Sequence, residues 1–247
     1  MKIPQKIYPD RITNAIVEVR YTSKIPFEIL VGLFFNALDD TYNYINKLNP
    51  TSKNQSEPDQ IGIHLSSSQF LFYNDKIKIQ LQPNSIVFNC IKSYILWSNY
   101  LPEIEKVLKQ LLTTNGIESF VRIGLRYISE YPNIDLQSCI KFSFSFGMPE
   151  IQSKTYSFKS EFEYKGNKIV LNLHNKLPVL KNNSSNNLPD TQQLTLIDID
   201  VIKSDIKFPA QDFQSLISNI DTVHSSEKEI FFKLLNDEFL NTLNPVY

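Results

Sequence analysis

Several stretches of this chain alternate apolar and polar residues with a period of two, the signature of strands with one buried face. In "IVEVRY" Val17, Val19 and Tyr21 stand against Glu18 and Arg20. "KIKIQLQ" sets Ile77, Ile79 and Leu81 against Lys78, Gln80 and Gln82. In "FVRIGLRYISEY" Val121, Ile123, Leu125 and Tyr127 share one side, and Arg122, Gly124 and Arg126 the other. "LIDIDV" opposes Ile197, Ile199 and Val201 to Asp198 and Asp200. Elsewhere the period lengthens. Phe27, Leu30, Val31, Phe34, Leu38, Tyr42 and Ile45 fall at helical spacing, which predicts a helix opened by Pro26 and running to about Leu48. A second helix is predicted over Ser98–Thr113, with Leu101, Ile104, Val107, Leu108 and Leu111 on one side and Asn115-Gly116 stopping it.

Between these lie a polar loop, "NPTSKNQSEPDQ", and three strand signals, "IGIHLSSSQFLFYN", "KIKIQLQP" and "SIVFNCIK". Later, "DLQSCIKFSFSF" reads as helix at its start and strand at its end. "KTYSFKSEFEYKG" and "NKIVLNLHN" form a hairpin around Gly166-Asn167. "LPVLKNNSSNNLPDTQQ" reads as a loop, and everything after Pro209 as helical. The order strand, helix, three strands, helix thus occurs twice. It implies an α+β fold: a curved, mostly antiparallel sheet with helices on one face, built from a first half over residues 1–117 and a second over 118–247, with the sheet continuous between them.

"IVEVRY", "IQLQPNSIVFN" followed by Tyr94 and Trp97, "RIGLRYI", "LIDIDV" and the ending "VHSSEKEIFFKLLNDEFL" resemble, in that order, a family of uncharacterised proteins of about this length, sporadically distributed among bacteria and archaea. The resemblance spans nearly the whole chain except the Asn-rich stretch near residues 180–192. It implies no activity. Patchy occurrence resembles that of mobile accessory or defence genes, and so hints at phage resistance or toxin control.

Composition narrows the classes. The formal charge is −1. Residues 1–130 carry 14 Lys/Arg and 12 Asp/Glu, against 11 and 14 over residues 131–247, or +2 and −3. So weak an asymmetry disfavours nonspecific nucleic-acid binding. Cys90 and Cys139 belong to no motif, which fits a reducing compartment. The start has no apolar signal core, and no apolar run reaches membrane-spanning length, so a cytoplasmic protein without membrane association is expected. His64, His174 and His224 share no metal-ligand spacing, and no Gly-rich phosphate loop or nucleophile elbow is present. No metal, cofactor or catalytic residue is therefore assigned.

The chemistry that remains is ionic. Arg122 and Arg126 on an otherwise apolar strand belong to the side of the sheet away from the helices. If the strands neighbour one another, they face Asp198, Asp200 or Glu18, with Arg20 beside the last. Three readings are open: a solvated face laced with ion pairs; a ligand or partner surface in which aspartates hold an arginine fork; or a carboxylate pair, Asp198 and Asp200, that shares a metal. Phe142, Phe144 and Phe146 fill a core or stack bases. His224 is read as a core histidine on a continuous C-terminal helix, the alternative being a new helix capped by Ser226 and Glu229. That helix is apolar around most of its girth, and Phe231, Phe232, Phe239 and Leu240 are candidates for a partner or oligomer contact. The preferred function is a noncatalytic binding or complex-forming module that uses the polar sheet face and this helix toward a protein partner or a second copy. The alternatives are a hydrolase or nuclease with a carboxylate/arginine site on that face, and a nucleic-acid-binding regulator.

Overall fold

The computed structural model describes residues 2–47, 69–91, 93–142, 155–181 and 190–247. Over these the fold is α+β, with a large, mostly antiparallel, open sheet of ten strands and four α-helices. In chain order the elements are β1 (Ile12–Ser23), α1 (Phe27–Ala37), β2 (Asn43–Lys47), β3 (Gln69–Tyr73), β4 (Ile77–Gln82), β5 (Ser85–Cys90), α2 (Trp97–Thr113) and β6 (Ile117–Pro132). There follow a 3-10 turn (Leu136–Ser138), β7 (Tyr156–Tyr164), β8 (Asn167–Lys181), β9 (Asp190–Lys203), β10 (Phe208–Pro209), α3 (Phe213–Leu234) and α4 (Asp237–Thr242). Two compact units result. One comprises Met1–Ile16, Ile123–Ser204 and Ser218–Tyr247, and the other Val17–Arg122 and Asp205–Ile217. Their boundaries differ from the division at residue 117 drawn from element order: β1, β6 and α3 each pass from one unit into the other.

In the unit built on Val17–Arg122, the strand order β2-β3-β4-β5-β1-β6 is joined by β10, which pairs Phe208 with Phe120. Its core holds Val17, Val19, Tyr21, Ile77, Ile79 and Leu81, the residues that the alternation picked out. A fully buried side chain of this size contributes roughly 1.5–3 kcal/mol. Leu30, Val31 and Phe34 of α1 close over them, with the Phe34 and Phe72 rings edge to face at 5.1 Å. On α2 the buried residues are Tyr100, Ile104, Val107, Leu108 and Leu111, while Leu101, expected among them, is half-buried. At its end Asn115 takes the left-handed conformation (φ 54°), and Gly116 supplies clearance: a Cβ there would stand 2.7 Å from Ile25.

The first helix is shorter than its spacing predicts. Leu38 is already extended, and the Asp39 carboxylate accepts hydrogen bonds from the Thr41 backbone N–H (3.0 Å) and hydroxyl, turning the chain into β2. The helical spacing of Tyr42 and Ile45 was a coincidence of register. Among the described residues the first half therefore has four strands between its helices, and the second has only a 3-10 turn where a helix would complete a duplication. The polar loop, His64, Phe144, Phe146 and most of "IGIHLSSSQFLFYN" lie outside the described residues.

In the other unit the order is β1-β6-β9-β8-β7. The β7–β8 turn is Lys165-Gly166, both left-handed (φ 51° and 72°), with Tyr164 and Asn167 as the closing pair. That is one residue earlier than predicted, and it is the backbone twist a two-residue hairpin favours. The segment expected to be a loop after Leu177 continues the β8–β9 hairpin instead: Leu177 pairs with Leu194 and Lys181 with Asp190, with an irregularity between His174 and Leu177 where Lys176 is left-handed (φ 52°). Residues 182–189 lie outside the description. Leu125, Tyr127, Ile169, Leu171, Leu173, Ile197, Ile199 and Val201 form one buried face, which the helices meet through ring contacts of Tyr127 with His224 (6.0 Å) and Tyr131 with Phe239 (5.3 Å). No helix among the described residues is long and apolar enough to cross a membrane.

Candidate functional site

The residues that alternate with this core face make the polar face of β6, β9, β8 and β7. Register fixes their neighbours. Arg126 lies opposite Asp200 and Asp200 opposite Val170; Asn172 lies opposite Asp198 and Lys159; His174 lies opposite Ser157. Arg126, Asp198 and Asp200 thus share a face, the one opposite to that met by Tyr127 and Tyr131.

Arg126 reaches diagonally rather than straight across. Its Nε and Nη2 donate to Asp198 Oδ1 and Oδ2, each at 2.8 Å, a two-pronged pairing that fixes the guanidinium plane. Asn172 Nδ2 donates to Asp198 Oδ2 at 3.0 Å. The pair is largely withdrawn from water, with side-chain exposures of 20% for Arg126 and 7% for Asp198. The hydrogen bond to Asp198 holds the Arg126 guanidinium even more firmly protonated than usual, against the opposing cost of burial. This is not the solvated ion-pair lacing of one of the sequence readings.

Further along the face, Ser157 Oγ and His174 Nδ1 are 2.7 Å apart. Partial burial lowers the His174 pKa, with the nearby Asp198 charge opposing, so the ring is neutral near pH 7. At the outer strand, Lys159 and Lys168 both pair with Glu161, at 3.0 and 2.6 Å.

Arg122, Glu18 and Arg20 belong to the other unit. Glu18 bridges both arginines, accepting from Arg122 Nη1 at 2.8 Å and from Arg20 Nε at 2.5 Å. Here alternation on β6 breaks. Phe120 is buried, Val121 is half-buried and Ile123 is buried, so Val121 does not share the core face assigned to it.

The remaining candidates separate. His224 is buried on a continuous α3, and burial lowers its pKa to about 3. Ser226 donates back to the Thr222 carbonyl (3.1 Å) instead of capping a new helix. The cap falls at Asn236, whose side chain accepts from the Phe239 N–H at 2.7 Å. Phe231, Phe232, Phe239 and Leu240, candidates for a partner contact, are all buried within the chain, so their apolar surface is already covered. Phe142 packs on Phe158, with ring centroids 4.9 Å apart. Among the described residues no group of three His, Cys, Asp or Glu side chains could hold a metal ion, and Asp198 is already engaged by Arg126 and Asn172.

Sequence reasoning missed Asn172, the Ser157–His174 contact and Glu227, a buried acid on α3 whose pKa burial raises to about 8. The alternation of "NKIVLNLHN" places Asn172 and His174 on the polar face. Their partners follow only once the hairpin turn fixes the register. No family model matches the chain, and no curated protein is significantly similar to it.

Proposed function

We propose that this chain is a noncatalytic binding or complex-forming module of the cytoplasm that presents the polar face of β6, β9 and β8 to a protein partner, with Arg126 at its centre. The observation that carries the reading is the two-pronged grip of Asp198 on Arg126, braced by Asn172, on the face opposite the helices. A pair so far withdrawn from water is a poor source of stability, because desolvation offsets the attraction. What it does supply is an arginine of fixed direction, and among the described residues Asp198 is its only hydrogen-bonding partner. The remaining guanidinium N–H groups suit a carboxylate or a carbonyl edge on a partner. The test is to express the tagged chain in its native host and identify copurifying proteins by mass spectrometry, for the parent and for Arg126→Ala. At least a tenfold loss of a specific partner in the variant, with an unchanged circular-dichroism spectrum, is expected. The same partners in the same yield discard the reading.

One observation favours a second reading, a hydrolase: Ser157 and His174 stand at nucleophile–base distance. Asp198, the acid whose charge acts on the imidazole, is spent on Arg126, so among the described residues no third group orients the ring as a triad requires. A fluorophosphonate probe followed by intact-mass measurement separates the two. The module reading expects no adduct on the parent protein. An adduct lost in both Ser157→Ala and His174→Ala establishes the hydrolase instead.

A further inference from the structure

The strands at the two ends of the sheet order differ in a way that the polar face does not explain. β7 carries Lys159, Glu161 and Glu163, the charged residues with which natural sheets blunt an unpaired edge. β2, "NYINK", is the terminal strand of the other unit and has a single charge, at its last residue. Beside it α1 turns apolar residues outward: Ile29, Leu33 and Phe35 are 53%, 41% and 52% exposed. Tyr44 of β2 continues the patch, its ring 5.5 Å from that of Phe35. In the middle of the same helix stands Gly32, and a Cβ there would meet nothing within 4 Å. A mid-helix glycine costs about 1 kcal/mol relative to alanine. Here no close approach among the described residues explains it.

We propose that β2 and α1 form the interface of a homodimer, in which β2 pairs antiparallel with β2 of a second copy and the two α1 helices meet over Gly32. A two-fold contact demands a surface that complements itself, and this one does so. It is apolar along the helix, its strand edge has no ladder partner among the described residues, and its only helix charge, Glu28, lies in the first turn. Each copy has a net charge of −1, so association meets almost no repulsion. The four exposed side chains present on the order of 400 Å² per copy; at the roughly 65% apolar share of homodimer interfaces this corresponds to about 1,200 Å² in all, the lower end of what a specific dimer buries.

The full chain is measured by sedimentation equilibrium from about 1 to about 100 μM, the range in which a contact of this size is populated. Twice the chain mass of 28.7 kDa is expected at the upper end. Leu33→Glu and Phe35→Ser, both at exposed positions that leave the core intact, raise the dissociation constant at least a hundredfold with an unchanged circular-dichroism spectrum. Hydrogen exchange at the β2 amides slows with rising concentration in the parent and not in the variants. A monomer throughout the range, a dimer indifferent to both substitutions, or a dimer whose β2 amides exchange as in the monomer overturns the proposal.

Discussion

Asp198 accepts from two side chains at once, and removing it strands both. Asp198→Ala leaves a mostly buried guanidinium without its counter-charge and Asn172 without its acceptor. That should cost about 2–4 kcal/mol in urea unfolding. Arg20→Ala, at a side chain 47% exposed, should cost under about 1 kcal/mol. A second residue-level contrast sits on α3, where two buried ionisable groups are three positions apart. His224 has its pKa lowered from 6.5 to about 3, so it contributes stability above pH 6.5 that is lost as the pH falls through 3. Glu227 has its pKa raised from 4.5 to about 8, so its contribution is complete below pH 4.5 and is lost as the pH rises through 8. Lys228 modulates both by opposing the protonation of each. The two slopes cancel between pH 4.5 and 6.5, so stability should be greatest over that mildly acidic window and fall on either side of it, and Glu227→Gln should abolish the alkaline fall in melts from pH 5 to 9. At this scale the alternation around Arg126 was legible, because it is a local property, whereas around Arg122 it breaks. The choice among the named acids Asp198, Asp200 and Glu18 was not: Asp200 is directly opposite Arg126, yet the side chain reaches Asp198.

Elements were legible where local chemistry and tertiary packing agree. The β7–β8 hairpin is such a case, and its turn makes a prediction of its own. Gly166→Ala meets no atom but forces a left-handed φ of 72°, and should lower stability by about 1 kcal/mol. At Gly116 the obstacle is the side chain of Ile25 rather than φ, so Gly116→Ala should be relieved in part by Ile25→Val, whereas no second substitution rescues Gly166→Ala; a double-mutant thermal melt reads the difference. Where the two levels disagree, the sequence misled. Leu38, Tyr42 and Ile45 keep the helical period past the point where the Asp39–Thr41 turn ends α1. The Asn/Ser/Pro-rich stretch after Leu177 has the composition of a loop, although Pro178 and Val179 pair with Gln193 and Gln192 on a hairpin that simply extends further. Composition averaged over a dozen residues cannot see where a ladder stops.

For the whole molecule, the proposed self-association makes the melting temperature depend on protein concentration in the parent chain and not in Leu33→Glu. A tenfold dilution that moves neither would count against the dimer. The fold class was legible, since repeated period-two stretches interrupted by stretches of helical period admit few arrangements. The make-up of the two compact units was not, because chain order does not say which long strand serves both. β1 changes unit between Ile16 and Val17, β6 between Arg122 and Ile123, and the segment Asp205–Ile217 returns to the unit that β6 had left.

That interleaving governs how the chain is made. A ribosome delivers residues from the N-terminus onward, and Thr13 cannot meet Glu130, its hydrogen-bonding partner at 3.1 Å, until more than a hundred further residues have been added. Neither body can be finished early: one waits for Ile217 and the other for α4. The nascent protein must therefore carry unsatisfied strands until those residues emerge, a period in which chaperones have something to hold.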